Sequence, residues 1–283
     1  MVNIYLIKIL SCYSFMVNYF KRKLIQFFFP RKIRNFFLIL NAILNNKFFI
    51  ISSEGYCDDG LATNHIVDFL RDKKFINSYN AGKRNGALNN HSGDIHYRAY
   101  IACFCANYAK KIKGDFVECG VGKGIMATTI VNYLNFNKLN KRFYLIDTYE
   151  GIPIDKNLKK NELNIAKILN QGHFEGNYYK IIKKHFKKYS KVKIIKGKIP
   201  IILKKININK ISFLHLDMNN SYAEISAAKI LFKKVSKGGL ILLDDYTNSE
   251  LFRELKNSWD KYAILNNFNI LSLPTGQGLI IKS

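Results

Sequence analysis

The sequence predicts an α/β, Rossmann-like fold: a seven-stranded, mostly parallel sheet with one antiparallel strand, preceded by an N-terminal helical extension. Three observations predict it. From residue 94 onward, strand-like and helix-like segments alternate, the pattern of a parallel sheet covered on both faces. One strand runs directly into a glycine-spaced turn, "FVECGVGKG" at 116–124, that opens a helix. The chain closes on "NILSLPTGQGLIIKS", two short strand-like runs joined by a Pro/Gly turn, which sets one strand against the direction of the others.

The elements follow in order. Residues 1–93 are read as the extension. Their first forty are apolar and basic, with Lys8 interrupting the first apolar run and no small-residue cleavage site. The run "FFLILNAILNNKFFIIS" is broken by Asn41, Asn45, Asn46 and Lys47, which argues against a membrane-spanning helix. Two uses remain for this segment: packing on the main domain or a partner subunit, and peripheral contact with an anionic membrane. "SSEGYCDDGLATNHIVDFLRDKKF" reads as a loop and a short helix, and the Gly/Asn-rich 78–94 as a linker carrying the domain boundary. The second domain, 94–283, begins with a helix on which Tyr97, Ile101, Phe104 and Tyr108 recur at helical spacing. Strands follow at "DFVECG", "RFYLIDTY", "VKIIKG", "ISFLHLDM" and "GGLILLDDY". Helices are expected over "GIMATTIVNYLNF", "YYKIIKKHFKKY", "YAEISAAKILFKKV" and about 249–263, with 155–180 polar and irregular. Strands and helices in this order, closed by a hairpin, narrow the sheet to the class I methyltransferase type.

Composition bounds the rest. At 283 residues and 48% hydrophobic, the chain can build a core. The formal charge of +25 resembles a nucleic-acid footprint. It is mostly lysine in an Asn/Ile/Phe/Tyr-rich background, however, and reads as a solvated surface. Five cysteines without C-x-x-C or zinc spacing suit free thiols in a reducing cytoplasm.

The glycine stretch carries the chemistry. Gly120, Gly122 and Gly124 allow unusual dihedrals and the close approach of a ligand, and the following helix offers free N–H groups. Glu118 at the strand edge would repel a pyrophosphate but suits a cationic amino-acid group. Asp147 ends the next strand, placed to grip ribose hydroxyls, with Thr148 beside it. Ribose and a cationic tail without phosphate describe S-adenosyl-L-methionine; a dinucleotide is the alternative.

Asp217 ends another strand, and Asp244 with Asp245 a third, so three carboxylates are expected on one sheet edge beside the donor. Helix capping is the plain reading of any one of them. Together they suit Mg²⁺, which would lower the pKa of an acceptor hydroxyl and orient it. His173, in the segment expected to overlie this edge, is a candidate general base. His215 shares a strand face with Asp217 and reads as a core histidine. Gln277, in the "PTGQG" turn, is placed near the same edge.

"GDFVECGVGKG", "YLIDTYEGIP", "LHLDMN", "GGLILLDDY" and "LPTGQGLIIK" together resemble the macrocin O-methyltransferase family over about residues 94–283. The resemblance implies an S-adenosylmethionine-dependent, Mg²⁺-dependent O-methyltransferase of sugar hydroxyls on natural products and nucleotide-activated deoxysugars, often oligomeric. It implies a donor loop at Glu118–Gly124, a ribose acid at Asp147, and metal acids at Asp217, Asp244 and Asp245, with Asp217 central to catalysis. Where the family's better-known members read D-x-D-x-Y-E, this chain reads "DMNNSYAEI", with Asn219 in place of the second acid and Tyr222 displaced by one. The expected partner is a sugar or glycoside and the expected compartment the cytoplasm, with a membrane-peripheral N-terminus and homo-oligomer formation both open. An RNA methyltransferase and a non-catalytic scaffold are the alternatives from other classes. The absence of an N/D-P-P-Y/F-type motif counts against the first, and the intact acids against the second.

Overall fold

Five short segments, most of them buried almost continuously because both faces are covered, build the sheet. In the computed structural model, which describes residues 56–85, 94–172 and 176–283, these segments are β3 (Asp115–Cys119), β4 (Phe143–Asp147), β5 (Val192–Lys196), β6 (Ile211–Leu216) and β7 (Val235–Leu243). β8 (Leu271–Ser272) and β9 (Gly278–Ile281) complete a seven-stranded sheet of order β5-β4-β3-β6-β7-β9-β8. β3 to β7 pair in parallel, and β9 runs antiparallel to both β7 and β8. The chain therefore winds outward from β3 to β5, then restarts beside β3 at β6. Sheets of this kind bind ligands at that switch.

Alternate residues serve two apolar layers. Phe116, Phe143, Leu145 and Phe213 face one core, and Val117, Cys119, Ile146 and Leu214 the other. The first layer is covered by α1 (Lys73–Asn85), α2 (His96–Ala109), α3 (Ile125–Tyr133) and α5 (Tyr179–Phe186). The second is covered by α6 (Ser221–Leu231) and α7 (Arg253–Leu265), with Trp259 fully buried. α4 (Lys160–Gly172) precedes α5.

Four local expectations change. First, α2 buries only part of the expected stripe: Tyr97 and Ile101 pack against the core, but Phe104 is 57% exposed and Tyr108 53%. It turns Ala99, Ala102, Cys103, Ala106 and Ala109 inward instead, because small side chains let its backbone close onto β6 and β7. Second, residues 78–85, read as linker, continue helix α1, whose Phe75 and Tyr79 are fully buried. At Gly82 an added Cβ would lie 2.6 Å from Thr129 Oγ1, so glycine there sets how closely α1 packs on α3. Third, α4 replaces part of the irregular 155–180. Glu162, Ile165 and Ala166 share its buried side, a helical spacing masked by the polar composition. Fourth, the segment read as a loop holds a hairpin of β1 (Tyr56–Asp58) and β2 (Leu61–Thr63). Its two-residue turn, Asp59-Gly60, has φ of 52° and 75°, the signature of an Asp-Gly hairpin.

Residues 54–283 form one compact unit, and Phe69, Phe75 and Tyr79 join the same core as the sheet. The apolar, basic segment 1–55 lies outside the described residues, as do His91 and the candidate base His173. Among the described residues no helix is long and apolar enough to cross a membrane.

Candidate active site

The carboxyl ends of β3, β4, β6 and β7 open into one cavity of about 460 Å³. Gly120, Gly122, Glu118, Asp147 and Thr148 line it together with Asp217, Asp244 and Asp245. The sequence-predicted donor residues and acids thus meet in one space, within the size range of small-molecule sites. Gly124 is instead the N-cap of α3, in left-handed conformation, and packs toward Phe186 and Ile182.

The glycine turn is held from β4. Asp147 Oδ2 accepts hydrogen bonds from the N–H groups of Val121 (2.6 Å) and Gly122 (2.9 Å). Its Oδ1 accepts from the Tyr149 N–H at 2.6 Å and from the Thr148 hydroxyl at 3.2 Å. Asp147 was expected to face ribose. Here both its oxygens already bind the protein, so its first task is to shape the loop. Burial nonetheless pushes its carboxyl up, against these donors.

Glu118 is fully buried on the wall of the same cavity, and among the described residues its Oε2 has no hydrogen-bond partner. A buried carboxylate oxygen left open is costly unless a cationic or donor group meets it. S-adenosylmethionine carries a group of that kind at its amino-acid end, so the chemistry of this wall fits the donor. His215, behind Glu118, is fully buried and does not line the cavity. Its Nε2 lies 3.3 Å from Asp244 Oδ1 and its Nδ1 3.7 Å from Glu118 Oε1. Burial works against its charge, yet the flanking carboxylates hold its pKa well above the ordinary histidine range.

Sequence reasoning missed Arg98 and Asp59. Arg98 is buried on α2 and lines the cavity. Its Nη1 donates to Asp244 Oδ2 at 2.7 Å and lies 3.4 Å from Asp245 Oδ1; its Nε donates to Asp59 Oδ2 at 3.0 Å. Burial opposes its charge, but Asp244, Asp245 and Asp59 outweigh it and raise its pKa further. Arg98 shares a helical face with Ala102, Cys105 and Ala109, all buried. A lone arginine on a face of small apolar residues was the readable signal. For Asp59 the signal was the Asp-Gly turn.

The Asp217–Asp244–Asp245 set does not fit a divalent ion as arranged. Asp244 gives Oδ2 to Arg98, and its Oδ1 accepts from Gln277 Nε2 at 2.8 Å. Asp245 Oδ1 accepts from Asn248 Nδ2 at 2.6 Å. Asp217 Oδ1 accepts from Asn219 Nδ2 at 3.2 Å, with Asn219 in left-handed conformation. Among the described residues, the one acid and histidine group with ligand atoms all within 4.8 Å of one another is Asp58, Asp94 and His96, in which Asp94 is already paired with Lys83. Gln277, placed near the edge by its turn, is fully buried and braces Asp244 instead of lining the cavity.

Glu224 supports the acceptor end from below. Its Oε1 accepts from the Met218 N–H at 3.2 Å and its Oε2 from Trp259 Nε1 at 2.7 Å, fixing the loop after Asp217. Burial pushes its pKa from 4.5 up to about 8, beyond what the two donors offset. A carboxyl raised on folding contributes stability that is complete below the unfolded value and is lost as pH rises through the folded one. The Tm is therefore expected to fall between about pH 5 and 9. Glu224→Gln should show a shallower fall by thermal denaturation, and equal slopes in the two proteins would refute the assignment.

A family model described as Macrocin-O-methyltransferase (TylF) matches residues 95–269, more than half of the chain. No curated protein matches. The solved structure of the O-methyltransferase NovP is 18% identical, covers 66% of this chain and 79% of its own, and superposes with a TM-score of 0.56. CalS11, a calicheamicin methyltransferase, is 16% identical with a TM-score of 0.51, over 65% of this chain and 77% of its own. At such identities these likenesses speak for the fold.

Proposed function

The chain belongs to the macrocin O-methyltransferase (TylF) family and is an S-adenosylmethionine-dependent O-methyltransferase; on that premise we propose that its acceptor is a sugar hydroxyl, on a nucleotide-activated deoxysugar or a glycosylated product. The observation that carries the reading is the one cavity lined together by the glycine turn, by Glu118 with its unpartnered buried oxygen, and by Asp217 and Arg98.

When bound, the donor supplies an electrophilic methyl group on a sulfonium sulfur. Gly120 and Gly122 admit it against the backbone, Asp147 keeps the turn in shape, and Glu118 faces its cationic end. In the same cavity Asp217 accepts the hydroxyl proton as the acceptor oxygen forms its bond to the methyl carbon. The S–CH₃ bond breaks with its electron pair left on sulfur, so charge and atoms balance. Holding the two reactants in line supplies most of the acceleration in such a displacement. Asn219, in place of a second acid, leaves Asp217 as the cavity carboxylate adjoining the acceptor end that is not paired with Arg98.

The test is release of S-adenosylhomocysteine by the purified chain across TDP-deoxysugars, glycosylated macrolides and structured RNA. Turnover with a sugar-bearing acceptor is the expected result. Turnover on RNA alone would replace this reading with a nucleic-acid one, and failure to bind S-adenosylmethionine in calorimetry would leave a scaffold.

A further inference from the structure

The geometry points to Arg98 as the resident cation of the acceptor site, standing where the sequence leads one to expect a divalent metal, so that methyl transfer by this chain needs no Mg²⁺. The inference rests on the O-methyltransferase reading above and concerns what balances and orients its acceptor end.

Three segments far apart in sequence meet at this one side chain, which belongs to one of them. Asp244 and Asp245 come from the end of β7, Asp59 from the Asp-Gly hairpin turn, and Arg98 from the first turn of α2. Arg98 is 8% exposed, while Asp244 and Asp245 are each 4% exposed. Buried carboxylates this close repel one another unless a positive charge is placed among them. A planar guanidinium with five N–H donors does this by charge and by directed hydrogen bonds. Nε and Nη2 grip Asp59, the latter at 3.4 Å, while Nη1 serves Asp244 and Asp245. That leaves one Nη2 hydrogen without a partner among the described residues, on a side chain lining the cavity. It can hydrogen-bond an acceptor oxygen and stabilise negative charge developing there, part of the duty of a Lewis acid.

The surroundings are built to hold the arginine. Gln277 and His215 occupy Asp244 Oδ1, and Asn248 holds Asp245 Oδ1. A metal bound through Asp244 would have to break its bonds to Arg98 or to Gln277 and His215, and would sit beside a buried guanidinium. Asn219 agrees with this arrangement: the residue two after Asp217 that lines the cavity is a neutral amide, which adds no negative charge to recruit a metal.

Mn²⁺ titration of the full chain, with free Mn²⁺ read by electron paramagnetic resonance, tests the inference without an acceptor. Asp94→Asn is included as background in every arm, to remove the Asp58–Asp94–His96 cluster. With Arg98 in place, no Mn²⁺ binding that depends on Asp244 is expected. Arg98→Met should gain binding tighter by about tenfold or more, as removal of a competing charge a few ångströms away predicts, and adding Asp244→Asn should abolish the gain. Asp244-dependent binding with Arg98 present overturns the inference, as does an Arg98→Met protein that binds donor yet gains nothing. Where Arg98→Met does not fold, the comparison with and without Asp244→Asn in the Arg98 protein decides alone. Calorimetry of S-adenosylmethionine on the same samples separates the two claims: absence of donor binding refutes the methyltransferase reading, whereas Asp244-dependent Mn²⁺ binding refutes only the role of Arg98.

Discussion

Gly120→Ala is expected to abolish donor binding and to destabilise the protein by roughly 2–5 kcal/mol, combining about 1–2 kcal/mol for a side chain in left-handed backbone with about 1–3 kcal/mol for overpacking. Gly120 has φ +83°, and a Cβ built there would lie 1.8 Å from the carbonyl oxygen of Asp217 and 2.5 Å from its carbonyl carbon. These are backbone atoms, and Asp217 is pinned because its N–H donates to Cys119 O at 2.9 Å. No rotamer change relieves the clash, so the ends of β3 and β6 must separate. That shift moves the glycine turn and the proposed base together, and damages both ends of the site even in molecules that fold. Gly60→Ala is the control for dihedral cost alone: φ is +75° but nothing lies within 4 Å of the added Cβ. Urea denaturation and donor calorimetry on the two variants measure the difference. Near-native donor affinity in Gly120→Ala would show that the turn does not abut β6 as described.

Asp147→Asn is expected to weaken donor binding by about a hundredfold, close to 3 kcal/mol, and to lower Tm, although it changes no shape. Each carboxylate oxygen accepts from the protein: Oδ2 from two backbone N–H groups of the turn, and Oδ1 from the Tyr149 N–H and the Thr148 hydroxyl. An asparagine can keep only one of these faces. Its NH₂ must then point at N–H donors on the other, and the buried donors there lose their acceptor. The strain falls on Tyr149, held at φ 57° with its hydroxyl bonded to Leu145 O at 2.9 Å. Were Asp147 concerned only with ribose, donor affinity would drop while Tm stayed unchanged. A fall in both separates loop support from ligand contact.

Much of the fold could be read because its signals are local. The alternation of short apolar runs with helix-like segments marked β3 to β7, the Pro/Gly turn marked the one antiparallel strand, and parallel pairing then forced Asp217, Asp244, Asp147 and the glycine turn to one rim. The misread helices share a cause. In α2 the large aromatics looked like the core face, yet alanines and cysteines were the residues that allowed close packing on the sheet. In α1 and α4, Asn and Lys outnumber the few apolar positions that matter, and only contact with α3 or the cavity wall shows which those are.

By itself, the sequence determined the sheet, its direction of winding, the donor turn and the convergence of the acids, since each depends on residues a few positions apart or on chain direction. Tertiary structure alone decided what those acids bind. Arg98 reaches Asp244 across 146 positions and Asp59 across 39, and Asp147 reaches back 25 positions to Gly122. Charge pairing of this kind is set by which side chains share a buried volume, where Coulomb attraction is weakly screened, and no local pattern of residues encodes that choice.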